Sequence, residues 1–205
     1  KYSIQEILDY YDGLAINIRK QFYQDKTMRE IRAGDGFENI KERFKQEPMF
    51  GASWFSRYLN TAARGWQRSQ LTMFGAVSGS GKTGVALYNA ALIGCPELWD
   101  DEAGCYMPNP CYQHKGILFL QYELNDQEEL TPKLVGSISG VPTFHILNGR
   151  YEEGEEERVD RAIQILHDSN IYIVTMPSFT NDRIKACIKE YATLRDVSYV
   201  IFDYV

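Results

Sequence analysis

The stretch that most constrains this chain is "QLTMFGAVSGSGKTGVALYNAALI", residues 70–93. A short apolar run leads into a glycine-rich turn, and an apolar helical pattern follows. A strand, a tight loop and a helix starting at the loop satisfy that order. The turn nearly fits G-x-x-x-x-G-K-[ST], with Ala76 where the first glycine would stand and Gly75 just before it. Gly79 and Gly81 allow the backbone to curl so that its N–H groups point inward at phosphate oxygens. The helix beginning near Lys82 aims its positive end at the same place. Lys82 can reach the β and γ phosphates of a nucleotide, and the Thr83 hydroxyl can ligate Mg²⁺. The first glycine position lies farthest from the tight part of the loop, so Ala76 should cost little. A strand–helix context converts the pattern into a mechanism.

Such a loop needs a carboxylate to organise Mg²⁺. "YVIFD" (199–203) is an apolar strand ending in Asp203, and Asp203 can hold a water on the ion that Thr83 coordinates. Hydrolysis also needs a group that activates water. Glu123 follows the apolar strand "ILFLQY" directly, so it too is expected at a carboxyl strand end, where ligands bind in open parallel sheets. A carboxylate there can accept a proton from the attacking water.

Strands and helices alternate from about residue 50. Strands are predicted at 70–76, 116–122, 170–176 and 198–204, and helices at 82–93, 155–168 and 180–196. A further helix is predicted within "DQEELTPKLVGSIS", starting or kinked near Pro132. The alternation argues for an α/β fold with a parallel sheet flanked by helices. The acidic run "EEGEEE" (152–157) reads as the solvated start of a helix, where negative charge suits the dipole. Residues 1–47 differ: Ile4, Ile7, Leu8, Tyr11, Ile18 and Phe22 recur at helical intervals, "AGDG" interrupts, and "FENIKERFKQ" reads as a second, shorter helix. These helices carry an apolar stripe but no core of their own, so they should pack on the following domain or on a neighbouring subunit. "EPMFG" marks the boundary.

Of the 205 residues 44% are apolar and 13% aromatic, so a packed core is expected and global disorder is not. The net charge of −6 excludes a basic nucleic-acid coat and leaves only local contacts with nucleic acid. No apolar run approaches the roughly 18 residues of a membrane span, and the N-terminus lacks a signal-peptide core. The four cysteines are few and unevenly spaced, which speaks for a reducing cytoplasm rather than a disulfide framework. Segment 95–116 breaks the rhythm and reads as a long loop. Cys95, Cys105, Cys111 and His114 lie there with no C-x₂-C knuckle, so loop and core cysteines are a better reading than zinc. Trp99, Tyr106 and Tyr112 read as loop anchors, and His145 and His167 have no sequence partner that suggests catalysis.

Three ordered segments carry a family resemblance. "NTAARGWQRSQLTMFGAVSGSGKTGVALYNAA", "ILFLQYELNDQEELTPKLVGSISGVP" and "IYIVTMPSFTNDRIKACIKEYATLRDVSYVIFDYV" resemble successive stretches of the DnaB-type replicative helicases, over roughly residues 50–205. The resemblance implies a RecA-like P-loop NTPase core in residues 48–205. Ser78, Gly79, Ser80, Gly81, Lys82 and Thr83 then match the ATP-binding loop, Glu123 the catalytic base, and Asp203 the Mg²⁺-linked aspartate. Residues 1–47 would correspond to the helical linker that docks on the next subunit. The implied activity is NTP hydrolysis in a ring-shaped homo-oligomer, as a hexamer, that translocates on single-stranded DNA and unwinds duplex. Primase and other replisome proteins are implied partners. The family's DNA-binding loops, phosphate sensor and arginine finger have no counterpart before Val205. Without a finger in trans, slow hydrolysis is expected. The short N-terminal part and the 95–116 insertion suggest a phage or divergent member, acting in a bacterial host cytoplasm. Another RecA-like ATPase, of recombinase or clock type, and a nucleotide-binding assembly module without turnover are the alternatives.

Overall fold

The computed structural model describes residues 3, 4, 7, 8, 10, 11, 13–15, 32–46, 50–67, 69–122, 126–178 and 180–203. The chain divides into two units, Lys1–Pro48 and Met49–Val205. In the first unit the described residues between Ile4 and Ala15 are helical, and α1 spans Phe37–Gln46. Phe37, Ile40 and Phe44 recur at three- and four-residue steps and form one exposed apolar stripe of α1. The residues expected to continue the first helix past Ala15, Ile18 and Phe22 among them, lie outside the described residues.

The second unit is built on a parallel three-stranded sheet of β3 (Gly116–Gln121), β4 (Ile171–Thr175) and β5 (Val197–Asp203), in the order β4-β3-β5. β3 is buried along its whole length, as a strand covered on both faces must be. Side chains alternate along it. Ile117 and Phe119 pack toward α3 (Lys82–Gly94), whereas Leu118 and Leu120 pack toward Ile184, Cys187 and Ile188 of α7 (Asn181–Leu194). The larger core cluster joins Leu87 and Ala91 of α3 and Phe119 to Leu134 and Ile138 of α4 (Thr131–Ser139) and to Val159, Ala162 and Ile165 of α6 (Glu155–Asp168). Burial of each large side chain among these, valine, leucine, isoleucine or phenylalanine, contributes roughly 1.5–3 kcal/mol. α4 is entered through a π-helical turn, Asp126–Leu130, with Pro132 in its first turn, where a missing N–H leaves no bond unmade.

The structure departs from the sequence reading in four places. Residues 70–77 have no strand conformation and are exposed, Leu71 and Met73 almost fully. Among the described residues no strand pairs with them, and an extended segment without a ladder partner is not a strand. Segment 95–116 is not a plain loop. It carries an antiparallel hairpin of β1 (Glu97–Asp100) and β2 (Cys105–Pro108). The hairpin is fastened to α6: Arg158 stacks on Trp99, the Tyr106 hydroxyl donates to Arg158 O, and Arg161 pairs with Glu97. The acidic run is not wholly solvated either. Glu155 is buried, accepts from Glu152 N, and pairs with His145 Nδ1 at 2.8 Å. Finally, α2 (Arg57–Ala63) and α5 (Thr143–Asn148) are short helices whose periodicity is too brief to read from sequence.

Segment 50–67 forms a clasp before the glycine-rich turn. Ala52 and Trp66 bridge in antiparallel fashion, and Trp54 and Trp66 stack at 4.2 Å with Phe74 against their edges. Phe55 N donates to Asn89 Oδ1 on α3, tying the clasp to that helix. At the far end of α3 the buried Asn109 amide donates to the carbonyls of Leu92 and Cys95, which the helix itself leaves unpaired. α3 is therefore held at several points, and its N-terminus is fixed in the fold.

Candidate functional site

The site grows from that N-terminus. Gly79 and Gly81 both adopt positive φ, 76° and 87°, which non-glycine residues rarely tolerate, and Gly81 is the N-cap of α3. The turn is drawn tight by Ser80, whose hydroxyl and amide both donate to Val77 O, at 2.7 and 3.3 Å. Ser78 occupies the same turn and is exposed. Lys82 folds back over the loop, its ammonium donating to the carbonyls of Ala76 at 3.1 Å and Val77 at 3.2 Å. The first N–H groups of α3 have no helical acceptor and carry the positive end of its dipole. The loop thus presents a cation and backbone donors on an exposed surface, the arrangement that receives a phosphate group. A nucleotide would compete with Ala76 and Val77 for the ammonium.

Thr83, the next residue, makes the contact that joins the loop to the sheet. Its hydroxyl donates to Asp203 Oδ2 at 2.6 Å, across 120 residues of sequence. Asp203 shares a face of β5 with Ile201, which packs toward α3, so period-two alternation aims its carboxylate at the helix N-terminus. A hydroxyl and a carboxylate are hard oxygen donors suited to Mg²⁺, which keeps waters and takes its remaining ligands from phosphate. The residues present therefore fit a Mg²⁺–nucleotide. The three strands end level: Gln121 is the register partner of both Thr175 and Asp203. Glu123, two residues beyond the end of β3, lies outside the described residues.

Gln121 and Thr175 are polar residues at this end that motif reading passed over. Gln121 is buried, and its amide donates to Thr175 Oγ1 at 2.7 Å. The signal was available: a single amide closes the apolar run "ILFLQ". Among the described residues no three His, Cys, Asp or Glu side chains come together. Cys95 is buried, with its thiol pushed up to about 12 by desolvation, while Cys105 is exposed beside Met107 Sδ. Trp99 and Tyr106 anchor the hairpin as described above. His145 has a partner that the sequence did not show, the Glu155 carboxylate, whose pKa is held below its ordinary value first by the Glu152 N–H and then by His145 and Arg158, against its own desolvation.

Comparison with known proteins agrees with this architecture. Residues 53–205 match the family model for the DnaB-like helicase C-terminal domain. The whole chain is 27% identical to the SPbeta prophage-derived uncharacterized protein YorI of Bacillus subtilis strain 168, of which it spans 40%. Among solved structures it resembles a DnaB-like replicative helicase described with its interactions with primase, with a TM-score of 0.62 and 16% identity over 97% of this chain and 48% of that one. It also resembles a second solved structure, of an ATPase domain, with a TM-score of 0.61 and 14% identity over 86% of this chain and 58% of that one. At these identities the two structures establish a shared fold, the RecA-like α/β core of helicase ATPase domains.

Proposed function

We propose, from the premise that this chain belongs to the DnaB-like helicase C-terminal domain family, that it is the ATP-binding part of a ring-forming DNA helicase motor. The observation that carries the reading is the 2.6 Å bond from Thr83 to Asp203, which brings the glycine-rich loop and the end of β5 to one point. Lys82 leaves its carbonyl partners to bind the β and γ phosphates, and the loop N–H groups hold the phosphate oxygens. Thr83, and Asp203 through a water, would hold Mg²⁺, which would supply positive charge beside the phosphates. Glu123 accepts the proton of the attacking water. The exposed stripe of α1 is the docking face of the first unit on a neighbouring copy, as subunits of a hexameric ring require. Single-stranded DNA is the track, and a primase is a candidate partner.

The test is ATP hydrolysis by the full-length protein that carries this chain, with and without single-stranded DNA. Stimulation by DNA supports the motor reading. Lys82→Ala should abolish nucleotide binding or turnover, and normal turnover in that variant defeats the assignment. Glu123→Gln should keep nucleotide binding and lose turnover by about 10²-fold or more, the scale of a positioned general base. Nucleotide binding without turnover in the wild-type ring would favour an assembly module instead.

A further inference from the structure

The glycine-rich loop is fastened on both sides to one point of the clasp. Before the loop, the Phe74 ring meets the edges of Trp54 and Trp66, with centroids 4.8 and 6.0 Å apart. After it, Asn89 of α3 accepts from Phe55 N at 3.1 Å. Trp54 and Phe55 are adjacent in sequence, so the two anchors share a base. That base is itself tied down. Asn60 Oδ1 accepts from Trp54 N at 2.6 Å, and its Nδ2 donates to Trp54 O at 3.1 Å, the pair of bonds a neighbouring strand would make.

Asn89 stands where a helix needs no amide. Among the described residues of α3 it is the one buried polar side chain, 1% exposed, and the other buried residues are leucine, isoleucine, alanine and glycine. A buried amide is tolerated only when it is bonded. Here Nδ2 donates to Val85 O at 2.8 Å, one turn earlier on the same helix, which orients the side chain. Oδ1 is then aimed at Phe55 N, 34 residues back in the sequence. An apolar residue would fill the space and leave that N–H unpaired.

The tie has a consequence at the helix N-terminus. Thr83 lies six residues before Asn89, about 9 Å along the axis at 1.5 Å per residue. A helix transmits axial position over that length, so the Asn89–Phe55 bond fixes how far Thr83 reaches toward β5. The Thr83–Asp203 bond of 2.6 Å tolerates little sliding, since about 1 Å more takes it out of hydrogen-bond range. The bonds from Ser80 and Lys82 to Val77 O and Ala76 O are local to the loop and need no such support.

We propose that Asn89 is a positioning residue of the nucleotide site. By fastening α3 to the clasp at Phe55 it sets where the Thr83 hydroxyl stands against Asp203. The inference rests on the reading of Thr83 and Asp203 as the Mg²⁺-linked pair.

The test measures affinity of the full-length protein for a fluorescent ATP analogue, in EDTA and in excess Mg²⁺, together with melting temperature. The ratio of the two affinities is the Mg²⁺ gain. Asn89→Leu keeps the branched shape and removes the acceptor. N89L should lower the Mg²⁺ gain about tenfold or more, the scale of a lost bond to a charged acceptor. Affinity in EDTA should change less than about threefold, because the loop holds phosphate through local geometry. Asn109→Leu unties the far end of α3, where the amide donates to Leu92 O and Cys95 O, and is the control. N109L should lower the melting temperature and leave the Mg²⁺ gain near wild type. The double variant of Asn89→Leu with Thr83→Ala should lose no more Mg²⁺ gain than T83A alone, because both act through one hydroxyl. An unchanged Mg²⁺ gain in N89L overturns the proposal. So do losses that multiply in the double variant, or a loss in N109L as large as in N89L, which would mark general loosening of the helix. If N89L melts too low to assay, Asn89→Ser, too short to reach Phe55 N, replaces it and is read in the same way. T83A alone separates the two readings. A full Mg²⁺ gain there refutes the Thr83–Asp203 assignment and the proposal with it, whereas a loss in T83A with none in N89L refutes the proposal only.

Discussion

Gly51→Ala should loosen the clasp that precedes the glycine-rich turn. A Cβ on Gly51 would overlap the carbonyl of Trp66 and lie 2.8 Å from Gln67 N, and these are backbone atoms that cannot swing aside. Relief requires the two arms of the clasp to part by about an ångström, which breaks their bonds. Three backbone hydrogen bonds are at stake: Gly51 N to Arg64 O at 2.8 Å, Ala52 N to Trp66 O at 3.2 Å, and Trp66 N to Ala52 O at 2.7 Å. At about 1 kcal/mol each they sum to about 3 kcal/mol. Partial loss of the Trp54–Trp66 stack adds about 0.5–1.5 kcal/mol. The expected destabilisation is therefore about 3.5–4.5 kcal/mol, or roughly 7–18 °C in Tm for a chain of this size. Gly75→Ala is the control, because nothing lies within 4 Å of its Cβ position. Two of the three tryptophans are the stacked pair, so near-UV circular dichroism and tryptophan fluorescence report on the clasp directly. If the Gly51 variant melts and fluoresces like the Gly75 control, the steric argument is wrong.

Other consequences follow from the site and the core. Thr83→Ala removes a bond to a charged acceptor, on the scale of about 1.5–3 kcal/mol, and should weaken Mg²⁺-dependent nucleotide binding about tenfold or more; Mg²⁺ titration of analogue binding checks it. Glu155 has a folded-state pKa below its ordinary value of 4.5, so its contribution to stability is present above that value and is lost as pH falls through the lower, folded one. Glu155→Gln should flatten the stability curve in that acid window, and an unchanged acid slope in a denaturation series would refute this. Cys105 should react with a thiol reagent in the native protein, while Cys95, buried and with its pKa near 12, should react only on unfolding; mass spectrometry after timed labelling separates the two.

Local periodicity made much of the second unit legible. The apolar run around "ILFLQ" yields β3, and the helical intervals of 155–168 yield α6 with its bounds. Both signals lie in neighbouring residues, where strand and helix periods are written. The loop residues were readable for the same reason, since Gly79, Gly81, Lys82 and Thr83 are adjacent in sequence and their chemistry depends on local backbone shape. The hairpin of residues 97–108 was not readable. Its strands are four residues each, and their partners, Arg158 and Arg161 of α6, lie some 60 residues further on. The misreading of 70–76 as a strand has the converse cause: its composition favours a strand, but strand formation depends on a neighbour that local sequence does not supply.

The sequence by itself determined the fold class, the glycine-rich turn and which residue types could hold phosphate and magnesium. Those follow from short-range rules: side-chain period, glycine's access to positive φ, and the chemistry of ammonium, hydroxyl and carboxylate groups. Only the tertiary structure decided which of them meet. Thr83 and Asp203 come to 2.6 Å because β5 pairs in parallel with β3 and α3 packs across that sheet. The same pairing sets Gln121 between Thr175 and Asp203. Register is a property of packed strands, set by which alternate faces are buried, and no single strand's sequence contains it.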